Sequence, residues 1–241
     1  MTTEGHPEAP SQAPFDTRQL SALLSKQVGE LSEPLSVEAF TSGQSNPTYL
    51  LRSGHQRWVL RSKPGPAARL LPSAHAIERE YRVMAAVGSQ GVAVPDMVAL
   101  CMDEGVIGRS FFVMSHVPGI SHLDQSLPGL QAPERRQIYQ AMAETLAKLH
   151  GVDVARAGLA DFGKTQDYVS RQIARWCRQF QATVTEPIPE MDHLMAWLPA
   201  NLPLSATQSH RPVVIHGDFR LDNLIFSPAH DAVRALIDWE L

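Results

Sequence analysis

Within eight residues the sequence sets His216, Asp218 and Asn223, and a short apolar stretch later it adds Asp238. Apolar triplets flank the polar groups: Val213-Val214-Ile215, Leu224-Ile225-Phe226 and Ala235-Leu236-Ile237. Runs that short and that rich in β-branched residues read as strands rather than helices. The polar groups therefore sit on tight loops between strand ends, all within the last 26 residues of the chain.

The rest of the chain divides by period. Phe15–Leu24 has the apolar spacing of a short helix. Residues 36–41 alternate weakly as a strand, and Thr48–Arg52 and Arg57–Arg61 read as a hairpin around Ser53-Gly54-His55. Ser73–Val87 carries a stripe of Ile77, Tyr81, Met84 and Val87 and is closed by Gly88, which predicts a helix. Val98–Cys101 and Ser110–Val117 read as two further strands. Beyond Pro118-Gly119 the pattern turns helical: Pro133–His150, Thr165–Phe180 and Met191–Leu198, the last stopping at Pro199. The expectation is an α+β fold: a polar, proline-rich tail (1–14), a mainly β lobe with one key helix (15–117) and a mainly helical lobe (118–241).

Composition excludes several classes. A net charge of −4 gives no support to nucleic-acid binding. No apolar run approaches membrane-spanning length, and the first residues lack a basic segment followed by an apolar one, so the sequence points to neither membrane nor secretion. Two cysteines, Cys101 and Cys177, make no disulfide framework, which suits the cytoplasm or another reducing compartment.

A lone His-Gly-Asp is an ordinary turn, in which the aspartate folds onto backbone N–H groups. The joint spacing of Asp218, Asn223 and Asp238 is more specific. Phosphoryl transfer from a nucleotide needs a carboxylate that orients and deprotonates the acceptor, hard oxygen ligands for magnesium, and donors over the phosphates. Asp218 stands where the first belongs, and Asn223 and Asp238 supply the second.

The chain resembles the aminoglycoside phosphotransferase and choline kinase superfamily, which has a protein-kinase-like two-lobed fold. The phrases that carry the resemblance are Gly43-Gln-Ser-Asn-Pro-Thr-Tyr49, Val59-Leu-Arg-Ser-Lys-Pro-Gly65, Arg79-Glu-Tyr-Arg82 and Phe112-Val-Met-Ser-His-Val-Pro-Gly119. His216-Gly-Asp-Phe-Arg-Leu-Asp-Asn223 and Ile237-Asp-Trp-Glu240 complete them. The nearest branch is the phosphotransferase domain found with acyl-CoA dehydrogenase family members 10 and 11 and in bacterial homologues.

The resemblance implies ATP and Mg2+, with Asp218 as catalytic base, Asn223 and Asp238 as metal ligands, and His216 holding the catalytic loop. It makes Gly43, Ser45 and Asn46 the phosphate-covering turn. Met114, Ser115, His116 and Val117 become the hinge beside the adenine. Arg61 takes the place of the usual strand lysine, with Glu80 as its helix partner and Lys63 as the alternative; arginine keeps the charge and adds a rigid fork. Asp222 and Glu240 stay unassigned.

The implied acceptor is a small-molecule hydroxyl, which the branch suggests is on a hydroxyacyl thioester or hydroxy acid. Two other readings compete: a nucleotide-binding regulatory module without turnover, and a metal-dependent hydrolase using His210, His216, Asp218 and Asp238, whose spacing fits no compact zinc signature. Because only Trp239-Glu240-Leu241 follow Asp238, the resemblance also implies an incomplete C-terminal lobe, with a functional unit extending past Leu241. The apolar faces left open would then favour dimerisation or aggregation.

Overall fold

In the computed structural model the described residues are 15–40, 46–64, 76–164, 166–207 and 211–239. They form two compact units, one of residues 1–153 with 214–241, the other of residues 154–213.

The first unit begins with helix α1 (Thr17–Val28), started by Asp16, whose carboxylate accepts from the Arg18 N–H at 2.9 Å. Strands β1 (Ser36–Ala39), β2 (Thr48–Ser53) and β3 (Gln56–Ser62) follow as an antiparallel meander. Helix α2 (Ile77–Gly88) precedes β4 (Met97–Cys101) and β5 (Phe111–Ser115). The five strands make one antiparallel sheet in the order β1-β2-β3-β5-β4. The expected sequence of three strands, a helix and two strands is present, with boundaries shifted by a few residues. The helix predicted from Ser73 is described only from Ala76, and residues 65–75 lie outside the described residues.

Strand alternation assigns the sheet two jobs. Tyr49, Leu51, Trp58, Leu60, Ala99, Cys101, Phe111 and Val113 turn to one side and bury Leu20 and Leu24 of α1. The intervening residues Leu50, Val59, Arg61, Phe112 and Met114 fall on the other side, where Tyr81 of α2 meets Phe112 edge-on at 6.1 Å. Both faces are covered, so β2, β3 and β5 read as nearly continuous apolar runs rather than alternating ones. Arg61 is the exception in its strand, a cation on the face that α2 covers.

Helix α3 (Ala132–His150) is long, with Pro133 in its first turn and the Gln131 N–H capped by the Glu134 carboxylate at 2.7 Å. It buries Ile138, Ala141, Thr145 and Leu149 and ends at Gly151. After residue 214 the unit adds a 3-10 turn (Leu221–Asn223) and the antiparallel pair β6 (Leu224–Phe226) and β7 (Val233–Leu236). Ile120 bridges Phe226 through two hydrogen bonds of 2.9 and 2.8 Å.

The second unit holds α4 (Tyr168–Thr183), α5 (Pro189–Ala200) and the single turn α6 (Leu204–Thr207). Three expectations change here. The α4 helix starts later than Thr165, which lies outside the described residues, because Asp167 takes a left-handed conformation (φ 51°) in front of it. Pro199 lies inside α5 rather than ending it; a proline in the last turn removes one N–H but need not stop the helix at once. Val213–Ile215, where the chain passes from the second unit back to the first, is no strand among the described residues, and Val213 and Ile215 stay 44% and 45% exposed. Neither α4 nor α5 buries a residue fully, and Trp176 and Trp197 are each 57% exposed. Among the described residues no helix is long and apolar enough to cross a membrane.

Candidate active site

The site forms inside the first unit, where β3, α2 and the loops around β6 and β7 converge. Arg61 is its centre. Its Nε lies 3.0 Å from Glu80 Oε2, and its Nη2 contacts Asp238 Oδ1. The side chains of Arg61 and Glu80 are 13% and 2% exposed, so this is a buried ion pair. Such a pair must be matched closely, because desolvating two charges costs several kcal/mol each, by rough estimate. The guanidinium fork does this by facing two carboxylates at once. Glu80 is held from a second side: its Oε1 accepts the Trp239 backbone N–H at 3.4 Å. Lys63, the alternative cation, pairs with Glu78 at 3.4 Å on the more exposed flank of α2.

The loop from His216 to Asn223 is laced by its own polar groups. Asn223 Nδ2 donates to the Asp218 carbonyl at 2.9 Å and to Asp218 Oδ2 at 3.1 Å. His216 joins the two acidic segments: its Nδ1 accepts the Asp218 N–H (3.3 Å), which leaves Nε2 to donate to the Ile237 carbonyl (3.0 Å). That pattern needs the neutral ring. Burial holds the His216 pKa below its usual value, against the opposing pull of the Ile237 carbonyl and the Asp238 and Asp218 charges. Trp239 packs edge-on against the imidazole at 4.6 Å and ties its indole N–H to the Leu236 carbonyl at 3.1 Å.

Two backbone positions make the turns feasible. Gly217 sits at φ 94°, where a side chain would be strained, and this folds the Asp218 N–H back onto His216. Asp238 occupies the left-handed region at φ 68°, which aspartate tolerates better than most residues. The Asn223 carbonyl accepts the Ile237 N–H at 3.0 Å, so the two loops are also joined through backbone.

The remaining expected residues are placed as follows. Asn46 is buried, next to the hairpin where the Pro47 carbonyl accepts the Ser62 N–H at 3.0 Å; Gly43, Ser45, His210 and Glu240 lie outside the described residues. Met114 is buried in the sheet, and Ser115, His116 and Val117 are half-buried. The Ser115 N–H donates to Asp96 (2.8 Å) and the His116 N–H to Arg57 (3.4 Å), so these two amides are already engaged. Burial, then the charges of Arg57 and Arg52, keeps His116 below its ordinary pKa.

Other participants were not singled out in the sequence. Arg220 lies 3.3 Å from Asp218 Oδ2 and 2.7 Å from Asp222 Oδ2, joining the two aspartates. Ser121 donates to the Asp222 carbonyl (2.9 Å), and Gln125 reaches Asp222 Oδ1 at 3.4 Å. The +2 spacing of Arg220 from Asp218 was the available signal; Ser121 and Gln125, about a hundred residues away, had none.

A sheet with its covering helix, a buried cation–carboxylate pair between them, and an Asp–Asn loop beside a second aspartate define the kinase-like phosphotransferase fold. The phosphotransferase enzyme family (APH) matches residues 36–241, and the chain belongs to that family.

Among its relatives, mouse acyl-CoA dehydrogenase family member 10 is 47% identical over 208 residues, covering 86% of this chain and 19% of the relative. Human acyl-CoA dehydrogenase family member 11 is 41% identical over 234 residues, covering 95% and 29%. The chain thus spans less than a third of the length of these curated relatives. A crystallised protein of Ralstonia eutropha JMP134, itself assigned only provisionally to the aminoglycoside phosphotransferases, is 46% identical with a TM-score of 0.82, covering 94% of this chain and 65% of that one. A streptomycin–ATP complex of an aminoglycoside phosphotransferase, 17% identical with a TM-score of 0.60 over 92% of this chain and 70% of its own, shares the fold.

Proposed function

We propose that the chain carries the nucleotide-binding and phosphoryl-transferring part of an ATP-dependent kinase for a small-molecule hydroxyl. The observation that carries this is Arg61 held between Glu80 and Asp238, with Asn223 beside them gripping Asp218. The donor set fits magnesium: Asn223 uses its amide nitrogen on Asp218, which leaves the amide oxygen for a cation, and Asp238 adds a carboxylate, both hard oxygen ligands. Magnesium bound there would neutralise phosphate charge.

The chain's own residues have separable tasks. Arg61, fixed by Glu80, sets its positive charge against the phosphate oxygens. Asn46 and the turn of Gly43 and Ser45 cover the phosphates. With the Ser115 and His116 amides engaged, the adenine edge falls to Val117 and the hinge carbonyls, and Met114 backs the pocket. Asp218 receives its protein donors on Oδ2, so Oδ1 takes the acceptor's proton. His216 couples this loop to the segment bearing Asp238.

The acceptor we favour is a hydroxyacyl thioester or hydroxy acid, a reading supported by the names of the dehydrogenase relatives. Calorimetric titration of folded protein with ATP, with and without magnesium, tests the nucleotide site; magnesium-dependent binding is expected, and its absence overturns the proposal. A turnover assay over hydroxy acids and their thioesters then separates a kinase from a module that binds nucleotide without transferring phosphate.

A further inference from the structure

We propose that His122 and His230 form a two-histidine site for a divalent transition cation of zinc-like softness, built from residues separate from the magnesium ligands and pinning the segment after β5 to the β6–β7 hairpin. Their ring centres are 5.2 Å apart with planes tilted by 42°. His122 Nε2 and His230 Nδ1 are both shielded from solvent, and neither has a hydrogen-bond partner among the described residues. A shielded nitrogen left unpaired is unfavourable, and two on neighbouring rings from different segments call for a shared partner.

The spacing fits a cation. With metal–nitrogen bonds of about 2.0–2.1 Å, each ring centre stands about 3.2 Å from the metal, and two rings at the tetrahedral angle are then about 5.2 Å apart. Imidazole suits zinc, nickel and copper and is a poor ligand for magnesium. Burial, then the charge of the neighbouring His230, lowers the His122 pKa and favours the neutral, ligating ring.

Both histidines stand on braced backbone. Ile120 and Phe226 exchange hydrogen bonds two residues before His122 and at the end of β6. The turn that presents His230 is closed by Ser227 Oγ and the Asp231 carboxylate at 2.5 Å and by the His230 N–H to the Ser227 carbonyl at 2.9 Å. His230 is held in the left-handed region at φ 61°. Among the described residues no group of three or more His, Cys, Asp or Glu could hold a metal, so the other coordination positions fall to water or a small ligand.

Its occupancy would still be felt at the candidate active site. Ser121, beside His122, bonds the Asp222 carbonyl, and the hairpin lies between Asn223 and Asp238.

The test is calorimetric titration of the full chain with zinc and with nickel at pH 7.5, in saturating magnesium, without nucleotide. One equivalent is expected to bind, weakening at least about tenfold in His122→Gln and in His230→Asn. Asparagine tolerates the left-handed conformation, so His230→Asn keeps the turn, and thermal unfolding checks both variants. If the wild type binds no stoichiometric zinc, or if either folded variant keeps full affinity, the proposal is overturned. The readout is independent of phosphoryl transfer, so loss of the kinase reading leaves it standing.

Discussion

Glu80→Gln removes one charge from the buried centre of the site and little else, since glutamine keeps the length and an acceptor for the Trp239 N–H. Removing one partner of a buried pair costs about 3–5 kcal/mol when the other charge is stranded. Arg61 is not fully stranded, because Asp238 remains in contact with it, but that carboxylate is 29% exposed and its attraction is partly screened. The expected loss is therefore about 2–3 kcal/mol, at or just below the bottom of that range. For a unit of this size about 2–4 °C of melting temperature accompanies each kcal/mol, which predicts a fall of about 4–12 °C. Differential scanning calorimetry measures it, and urea unfolding gives the free energy directly. Arg61→Met combined with Glu80→Leu should recover much of the loss, because matched apolar groups carry no desolvation penalty. A change below about 0.5 kcal/mol in Glu80→Gln would refute the view that charge, rather than shape, holds these residues together.

Asp218→Asn should reduce transfer by orders of magnitude while nucleotide affinity holds, whereas Asp238→Ala should weaken magnesium-dependent ATP binding; kcat with calorimetry distinguishes them. His216 has a folded pKa below its unfolded value, so the unfolded chain takes up the proton first as pH falls. Its contribution is therefore complete above the ordinary histidine pKa of 6.5 and is lost as pH falls from there through the lower folded value, and urea midpoints from pH 8 to 5 should decline less steeply in His216→Gln than in wild type. Gly119→Ala would drive a Cβ into the Phe226 carbonyl oxygen, so it should cost about 1–3 kcal/mol by urea unfolding and loosen the Ile120–Phe226 bridge.

The sheet and its helices were legible because their periods are strong. Thr48–Arg52 and Arg57–Arg61 are short runs with apolar centres on either side of a glycine turn, and α2 carries a stripe of Ile77, Tyr81, Met84 and Val87. Legibility failed where tertiary context decides. Val213–Ile215 has the composition of a strand but no pairing partner among the described residues, and α5 runs through Pro199 because a last turn can lose an N–H. At the site, local spacing displayed Asp218, Asn223 and Asp238. The family resemblance suggested the meeting of Arg61 with Glu80, which no spacing could show. The second grip on Arg61 by Asp238 and the support of Asp222 by Ser121 and Gln125 depend on contacts between residues about a hundred or more apart, which no local pattern encodes.

That separation bears on how the site comes into being. Arg61 and Asp238 are 177 positions apart, and Glu80 and Trp239 are 159 apart. Between them the chain leaves the first unit at residue 153 and returns at 214. Closing loops of that length is slow, so the contacts that complete the site form late in folding. On the ribosome, at about 5–20 residues per second, Arg61 and Glu80 wait roughly ten seconds or more for Asp238 to be made. During that interval the Arg61–Glu80 pair lacks its second carboxylate, while α2 stays on the sheet through Ile77, Val83, Met84 and Val87. A chain that lost one partner of the pair would carry a lone charge beneath that helix until its last residues were made.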